Sequence, residues 1–320
     1  MQETAVNPRA STSAGSHVAT QEIPVAVRST AESPFRRFFS AFTEDRAAVA
    51  GLLLFFIIVG LAILAPFITP QNPYDLRSVD LMDSRLRPGE VTGGGFTAWL
   101  GTDGVGRDLF SGILYGLRIS LMVGALSGMI AATVGMAVGL IAAYVGGRTE
   151  AFIMRVVDLQ LSLPAVLIAL ILVAALGKGV DKIIIALVVV QWAYYARTVR
   201  GSALVERRKE YVEAVQSLGL SHARVMFRHI MPNCLAPVIV IVTVQTAHAI
   251  SLEATLSFLG VGLPQTEPSL GVLIANGFQY MLSGNYWISF FPGIALLLTI
   301  VSINLMGDRL RDVLNPRLER

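Results

Sequence analysis

The chain has 320 residues, of which 54% are hydrophobic and only 15% charged, with a formal net charge of +3; its mean hydropathy is +0.63. A water-soluble domain of this size carries about a quarter charged residues and needs no repeated uncharged runs of twenty. Composition therefore excludes the soluble classes and predicts an all-α, polytopic membrane protein, in which a small basic excess meets anionic lipid headgroups and requires no nucleic acid.

Residues 1–46 are rich in Ser, Thr, Ala and Pro and lack periodicity, which predicts a disordered tail. No basic start is followed promptly by an apolar core, so no cleaved signal peptide is expected. The first predicted span is 47–68, uncharged and long enough to cross about 30 Å of hydrocarbon. A long loop, 69–119, follows. It holds Trp99-Leu-Gly-Thr-Asp-Gly-Val-Gly-Arg-Asp108, in which Asp103, Arg107 and Asp108 can form an ion-pair and turn network. Gly101, Gly104 and Gly106 would supply positive-φ positions there. Gly104-Val-Gly106 is no phosphate loop, because no strand precedes it and no Gly-Lys-Ser/Thr follows. The expectation is a loop folded against the mouth of the bundle, with direct substrate contact as the alternative.

The core, 120–306, holds five further predicted spans. The second, 120–145, contains Gly124-x-x-x-Gly128 and Gly135-x-x-x-Gly139, spacings that let helix backbones approach closely in lipid. The third, 152–176, passes through Pro164, a kink site, and its Arg155 and Asp158 are one turn apart and can pair. The fourth, 182–199, ends in Trp192, Tyr194 and Tyr195, residues that also suit an interfacial belt. The fifth is 234–259 and the sixth 287–306. The tail 307–320 completes the chain.

Between the fourth and fifth spans lies a polar segment, 201–233. Tyr211, Ala214, Val215 and Leu218 recur at helical spacing, which predicts a short amphipathic helix stopped by Gly219. Ser221 can cap a second short helix, and Pro232 marks the return to the membrane. Such a hairpin is larger than a connection requires and presents apolar residues for a partner outside the membrane to grip. With the N-terminus in the cytoplasm, the inner side holds 18 of the 25 Lys and Arg, and the hairpin falls on that side. Both termini are then cytoplasmic.

Polar residues within the fifth span are candidates for a translocation path. Gln245, His248 and Ser251 sit at helical spacing, and a hydrogen-bonding stripe between helices is the alternative. Glu253, near the Gly260/Gly262 break, either faces the path or braces a helix end, since a carboxylate in hydrocarbon needs a partner. The lone Cys234 excludes an internal disulfide and offers no metal cluster.

Four ordered motifs carry a family resemblance over about residues 90–317. The hairpin sequence Glu213-Ala214, Gly219, Ile230-Met231-Pro232 resembles the EAA loop of ABC-importer permeases. Trp99–Asp108 resembles the WLGTDxLGRD signature of the dipeptide/oligopeptide/nickel branch, C-type subunit, with Val105 in place of Leu. Glu253-Ala-Thr-Leu-Ser-Phe-Leu-Gly-Val-Gly262 is similar to its EAxLSFLGLG segment. Asn304-Leu-Met-Gly-Asp308-Arg-Leu-Arg-Asp312 with Asn315-Pro316-Arg317 is similar to its GDxLRDxLDP ending, with Asn315 where Asp is usual.

The resemblance implies a non-catalytic translocation subunit of the bacterial inner membrane that imports di- or oligopeptides, with nickel chelates, glutathione or opines as the alternatives within the branch. It implies a homologous second permease, two cytoplasmic ATPases that bind ATP and Mg, and an extracytoplasmic solute-binding protein; no cofactor or metal is expected on this chain. By the same resemblance Tyr211, Glu213, Ala214, Leu218, Gly219, Arg228 and Pro232 would couple to the ATPase, and Gly101, Asp103, Gly106, Arg107 and Asp108 form the outer loop motif. No complete Walker A is present, because Gly177-Lys178 lacks both the upstream Gly and the following Ser/Thr. A gradient-driven carrier would show related hydropathy halves and midplane charges, and an intramembrane enzyme a nucleophile or metal set. Neither pattern stands out in the chain, and a gradient-driven carrier is kept as the alternative from another class.

Overall fold

The computed structural model describes residues 34–75, 77 and 79–314. The bundle is organised around one long helix. Helix α1 (Pro34–Thr43) precedes α2 (Arg46–Ile68); a loop with a two-stranded hairpin, β1 (Glu90–Val91) and β2 (Thr97–Ala98), leads to α3 (Leu109–Val145). Then come α4 (Gly147–Leu161), α5 (Ala165–Leu176), α6 (Val180–Glu206), α7 (Glu210–Ser217) and the short turn α8 (His222–Arg224). Helices α9 (Leu235–Phe258), α10 (Leu270–Phe278) and α11 (Trp287–Leu314) close the described chain.

Helix α3 has 37 residues, about 55 Å at 1.5 Å per residue, nearly twice the hydrocarbon thickness. It therefore starts at Leu109, eleven residues before the expected second span, and the outer loop ends at Asp108 rather than 119. Its first turns are apolar but pack inward, with Leu109, Ile113 and Leu114 against Trp287, Ile288 and Leu273. The two glycine pairs on α3 serve two different partners. A methyl group at Gly124 would lie 2.8 Å from Ile250 on α9, while one at Gly135 would lie 2.5 Å from the Trp192 carbonyl on α6. Close backbone approach thus seats α6 on one stretch of α3 and α9 on another.

The third predicted span is a broken one. Helices α4 and α5 meet at 89° across Ser162–Pro164. The kink expected at Pro164 is a right-angle change of direction, because Pro cannot continue the α4 ladder and the residue before it leaves the α region. Five helices are each long and apolar enough to span, and the broken pair makes a sixth. Asp158 on α4 pairs with Arg197 on α6 at 2.5 Å, not with Arg155; the exposed pair ties α4 to α6.

Tail boundaries also shift. Residues 34–43 of the expected tail form α1, residues 1–33 lie outside the described residues, and α11 continues eight residues past 306. Asn315, Pro316 and Arg317 are outside the described residues. The Arg309 guanidinium donates to the Ala41 carbonyl and lies 3.5 Å from Glu44, while Gly307 packs on Thr243 near the start of α9. The segments before α2 and at the end of α11 therefore share one end of the bundle with the 201–233 hairpin. The 69–108 loop and α10 occupy the other end.

Candidate functional site

At the loop end, the motif residues fold inward. The Asp103 carboxylate accepts from the Val105 and Arg107 amides, both at 2.9 Å, and from Arg107 Nε at 2.7 Å. Arg107 Nη1 donates onward to the Gln265 carbonyl at 3.1 Å, joining the loop to the segment after α9. Asp103 is 1% exposed and Arg107 6%, so the pair is desolvated and satisfied by its own turn. Asp108 takes no part in the ion pair. It caps α3, accepting from the Ser111 amide at 2.8 Å and hydroxyl at 2.5 Å, while its own amide donates to Gln71 at 2.7 Å. Burial pushes its carboxyl above the usual range, opposed by the Ser111 hydrogen bonds.

Gly101 and Gly106 have φ of +82° and +91°, but Gly104 does not take a positive φ. Gly104 is needed instead for closeness, since a methyl group there would lie 2.8 Å from the Tyr280 ring. Tyr74 reaches Glu267 across the same mouth, and its phenol is pushed up to about 12, by burial first and by Glu267 second.

At the opposite end, α7 divides its residues between two faces. Val212 is buried, and Tyr211 and Val215 pack with Leu140, Val199, Val225 and Val238. Tyr211 is further held by polar contacts: its hydroxyl donates to Glu206 at 2.9 Å and accepts from Asn233 Nδ2 at 2.9 Å. Burial and the Glu206 hydrogen bond both push the phenol above its ordinary value. Glu206 also pairs with Lys209 at 2.6 Å. The expected single apolar stripe is thus split, since Tyr211 and Val215 face the bundle whereas Ala214 and Leu218 face outward with Glu213. Leu218 is 78% exposed.

Gly219 stops α7 with φ of +73°, a conformation that favours glycine. Ser221 occupies the N-cap of α8 with extended backbone, but its side chain makes no capping hydrogen bond. The return strand of the hairpin is wound into π-type turns over Val225–Ile230 and a 3-10 turn over Met231–Cys234 that contains Pro232. Widened turns rotate successive side chains relative to an α-helix. They leave Phe227 and Arg228 exposed beside buried Val225 and Ile230.

Sequence reasoning missed the groups that hold this hairpin. Arg207 Nη1 donates to the Ala143 carbonyl at 2.9 Å and its guanidinium lies 5.8 Å from the Tyr144 ring centre. The Tyr144 hydroxyl lies 2.7 Å from His222 Nδ1. The 78-residue separation of that pair leaves no local signal. Glu206 and Lys209, three residues apart at a helix end, were legible as a pair.

The four candidate path residues do not share a face. Gln245 is buried and its carbonyl accepts from Gln191 on α6 at 3.0 Å. Glu253 is 0% exposed and accepts from Ser120 on α3 at 2.9 Å and from Ser257, one turn further along α9, at 2.8 Å. It is a brace between α3 and α9. His248 is exposed and Ser251 partly so, and Thr255, which the sequence reading passed over, joins them four residues on.

A helical bundle that spans the membrane several times, with a structured polar hairpin beyond one surface and a buried ion pair beneath the other, defines the class of polytopic membrane proteins. Residues 135–320 match the family described as binding-protein-dependent transport system inner membrane component, and residues 33–88 match the N-terminal transmembrane domain of oligopeptide transport permease C. The chain is 41% identical over 289 residues to the dipeptide transport system permease protein DppC of Escherichia coli, covering 90% of this chain and 95% of that one. It is 37% identical over 288 residues to the di/tripeptide transport system permease protein DppC of Pseudomonas aeruginosa, covering 90% and 93%. Among solved structures, the inward-facing MetNI methionine ABC transporter shares the fold, with a TM-score of 0.52 at 19% identity over 63% of this chain and 96% of that one. The chain belongs to the family of binding-protein-dependent inner membrane transport components. It is a multi-pass inner-membrane permease subunit, non-catalytic, of an ABC transporter that also contains ATPase subunits, where ATP is hydrolysed, and a binding protein.

Proposed function

We propose that this subunit imports di- or oligopeptides, paired with a homologous second permease and driven by two ATPase subunits on the cytoplasmic side. The observation that carries the coupling role is the outward row Glu213, Ala214 and Leu218 on a helix whose other face is locked to the bundle by Tyr211 and Val212. An exposed leucine beside a carboxylate is the surface a groove on a partner grips. The fixed inner face makes any displacement of the row a displacement of α6 and α9.

In this reading the hairpin and both termini are cytoplasmic, which the basic-residue asymmetry supports. ATP-driven closure of the ATPases moves the hairpins of both permeases; Gly219 and Pro232 shape the turns of this one, and Arg228 joins the exposed surface offered to the ATPase. The helices rock from inward- to outward-facing, and the binding protein releases peptide into the opened cavity. The peptide assignment rests on the relatives named for dipeptide and di/tripeptide transport. Among the described residues no cluster of three His, Cys, Asp or Glu side chains could hold a metal ion, which favours peptides over nickel.

The test is peptide uptake and substrate-stimulated ATPase of the reconstituted complex. Gly219→Pro is the decisive variant, because Pro fixes φ near −65° where the hairpin needs +73°. Joint loss of uptake and stimulation in an assembled complex supports the reading. Normal uptake with normal stimulation removes the hairpin as transmission joint.

A further inference from the structure

At the loop end two cavities of about 460 and 410 Å³ adjoin and share Gln265, Asn276 and Gln279. Each lies within the roughly 300–1,000 Å³ usual for small-molecule sites. Three carboxamides at one junction are unusual in a chain this apolar, and none of the three side chains hydrogen-bonds any described residue. Their positions are nevertheless set by packing. A methyl group at Gly271 would lie 2.5 Å from the Ala254 carbonyl, and Gly277 sits directly on the Ser289 backbone, so α10 is clamped between α9 and α11. Ser269 caps α10 through the Val272 amide at 3.2 Å. Gln265 stands where the Arg107 guanidinium holds its carbonyl.

The second cavity adds a cation. Lys178 lines it, carried between Gly177 and Gly179, both at positive φ. Its floor is the outer end of α9, Ser257 to Gly260. Below that end run Thr255, Ser251 and His248, the polar surface of α9, whereas the exposed positions nearer the hairpin are Leu235, Ile239 and Val244. A polar stripe facing hydrocarbon is costly, so this half of α9 faces water or a partner.

We infer that the groove formed by Gln265, Asn276, Gln279 and Lys178 is a peptide-receiving subsite at the outer mouth, where the carboxamides pair with main-chain amides and the Lys178 ammonium meets the C-terminal carboxylate. The inference rests on the peptide reading above and adds the residues and the polarity of binding. Carboxamides donate and accept at once, which matches a peptide backbone of any sequence. A single cation at one end selects the free carboxylate over its amide. The α9 stripe then continues the wet surface away from the mouth.

The experiment uses the whole complex in proteoliposomes and compares uptake of labelled trialanine with that of trialanine amide. The binding protein contributes the same discrimination to every variant, so a change in the acid-to-amide ratio isolates this chain. Lys178→Met is expected to lower that ratio roughly fivefold, the limit for a solvent-accessible ion pair, and Lys178→Arg to restore it. Gln279→Leu alone is expected to lower uptake of both compounds about threefold, and the triple change with Gln265→Leu and Asn276→Leu by tenfold or more. A ratio unchanged by Lys178→Met overturns the carboxylate assignment, and unchanged uptake in Gln279→Leu and the triple variant overturns the groove. A wild-type complex that imports neither compound, nor any member of a mixed di- to pentapeptide pool, overturns the peptide reading itself.

Discussion

The 97–108 loop and the 201–233 hairpin are both polar stretches set between apolar runs, and they use their charge in opposite ways. In the loop, Asp103 and Arg107 are buried and saturated by their own turn. In the hairpin Tyr211, Glu206 and Asn233 hydrogen-bond one another across the two arms, but Glu213, Leu218 and Arg228 point away from the chain. A motif whose charges close on themselves builds structure. A motif that leaves an ordered row open presents a surface.

The contrast is broken most directly at Asp103. Asp103→Ala leaves a buried guanidinium without its carboxylate and is expected to cost roughly 3–5 kcal/mol. Loss of assembled complex, or a large fall in its melting temperature in detergent, is the readout; a stable, transport-competent variant would mean that the loop is not the structural half. The hairpin should respond inversely. Leu218→Asp and Glu213→Ala touch exposed groups and should shift stability by no more than about 0.5 kcal/mol. Stimulated ATPase should nevertheless fall by tenfold or more, the scale of a contact worth roughly 2 kcal/mol at an interface.

Glu253 sharpens the comparison within the bundle. Glu253→Gln keeps the shape but disturbs the acceptance from Ser120 and Ser257. About 1–2 kcal/mol of stability should be lost, with peptide uptake per assembled complex retained. Unchanged stability with abolished uptake would return this residue to the path. The smallest effect is expected at Tyr211→Phe, which removes one hydroxyl between Glu206 and Asn233 and should cost about 1 kcal/mol. Coupling should weaken only in proportion, measured as uptake per ATP hydrolysed.

Much of this molecule was legible along the chain because lipid imposes long, local, one-dimensional signals. Apolar runs located the spans, the glycine pairs of α3 announced close packing, and the stop at Gly219 appeared as a helix end followed by its positive-φ residue. Errors gathered where a segment is apolar yet packed on protein rather than lipid. The first turns of α3 were assigned to a loop, since Ser111, Tyr115 and Arg118 interrupt the run there. The partner of Asp158 was sought one turn away and found on α6. Helical periodicity names residues on one face but not what lies opposite, so Gln245 and His248 looked equivalent although one packs on α6 and the other is exposed.

The sequence by itself determined the membrane class, the spans to within a few turns, the basic asymmetry and the hairpin, because each follows from local composition and helical period. Only the tertiary structure decided which polar groups are spent inside the chain and which remain open. It buried Glu253 as a brace, split the α7 stripe into an anchored and an outward face, and brought Gln265, Asn276, Gln279 and Lys178 to one groove. The physical reason is that hydrogen-bond satisfaction depends on neighbours distant in sequence, which no local pattern encodes.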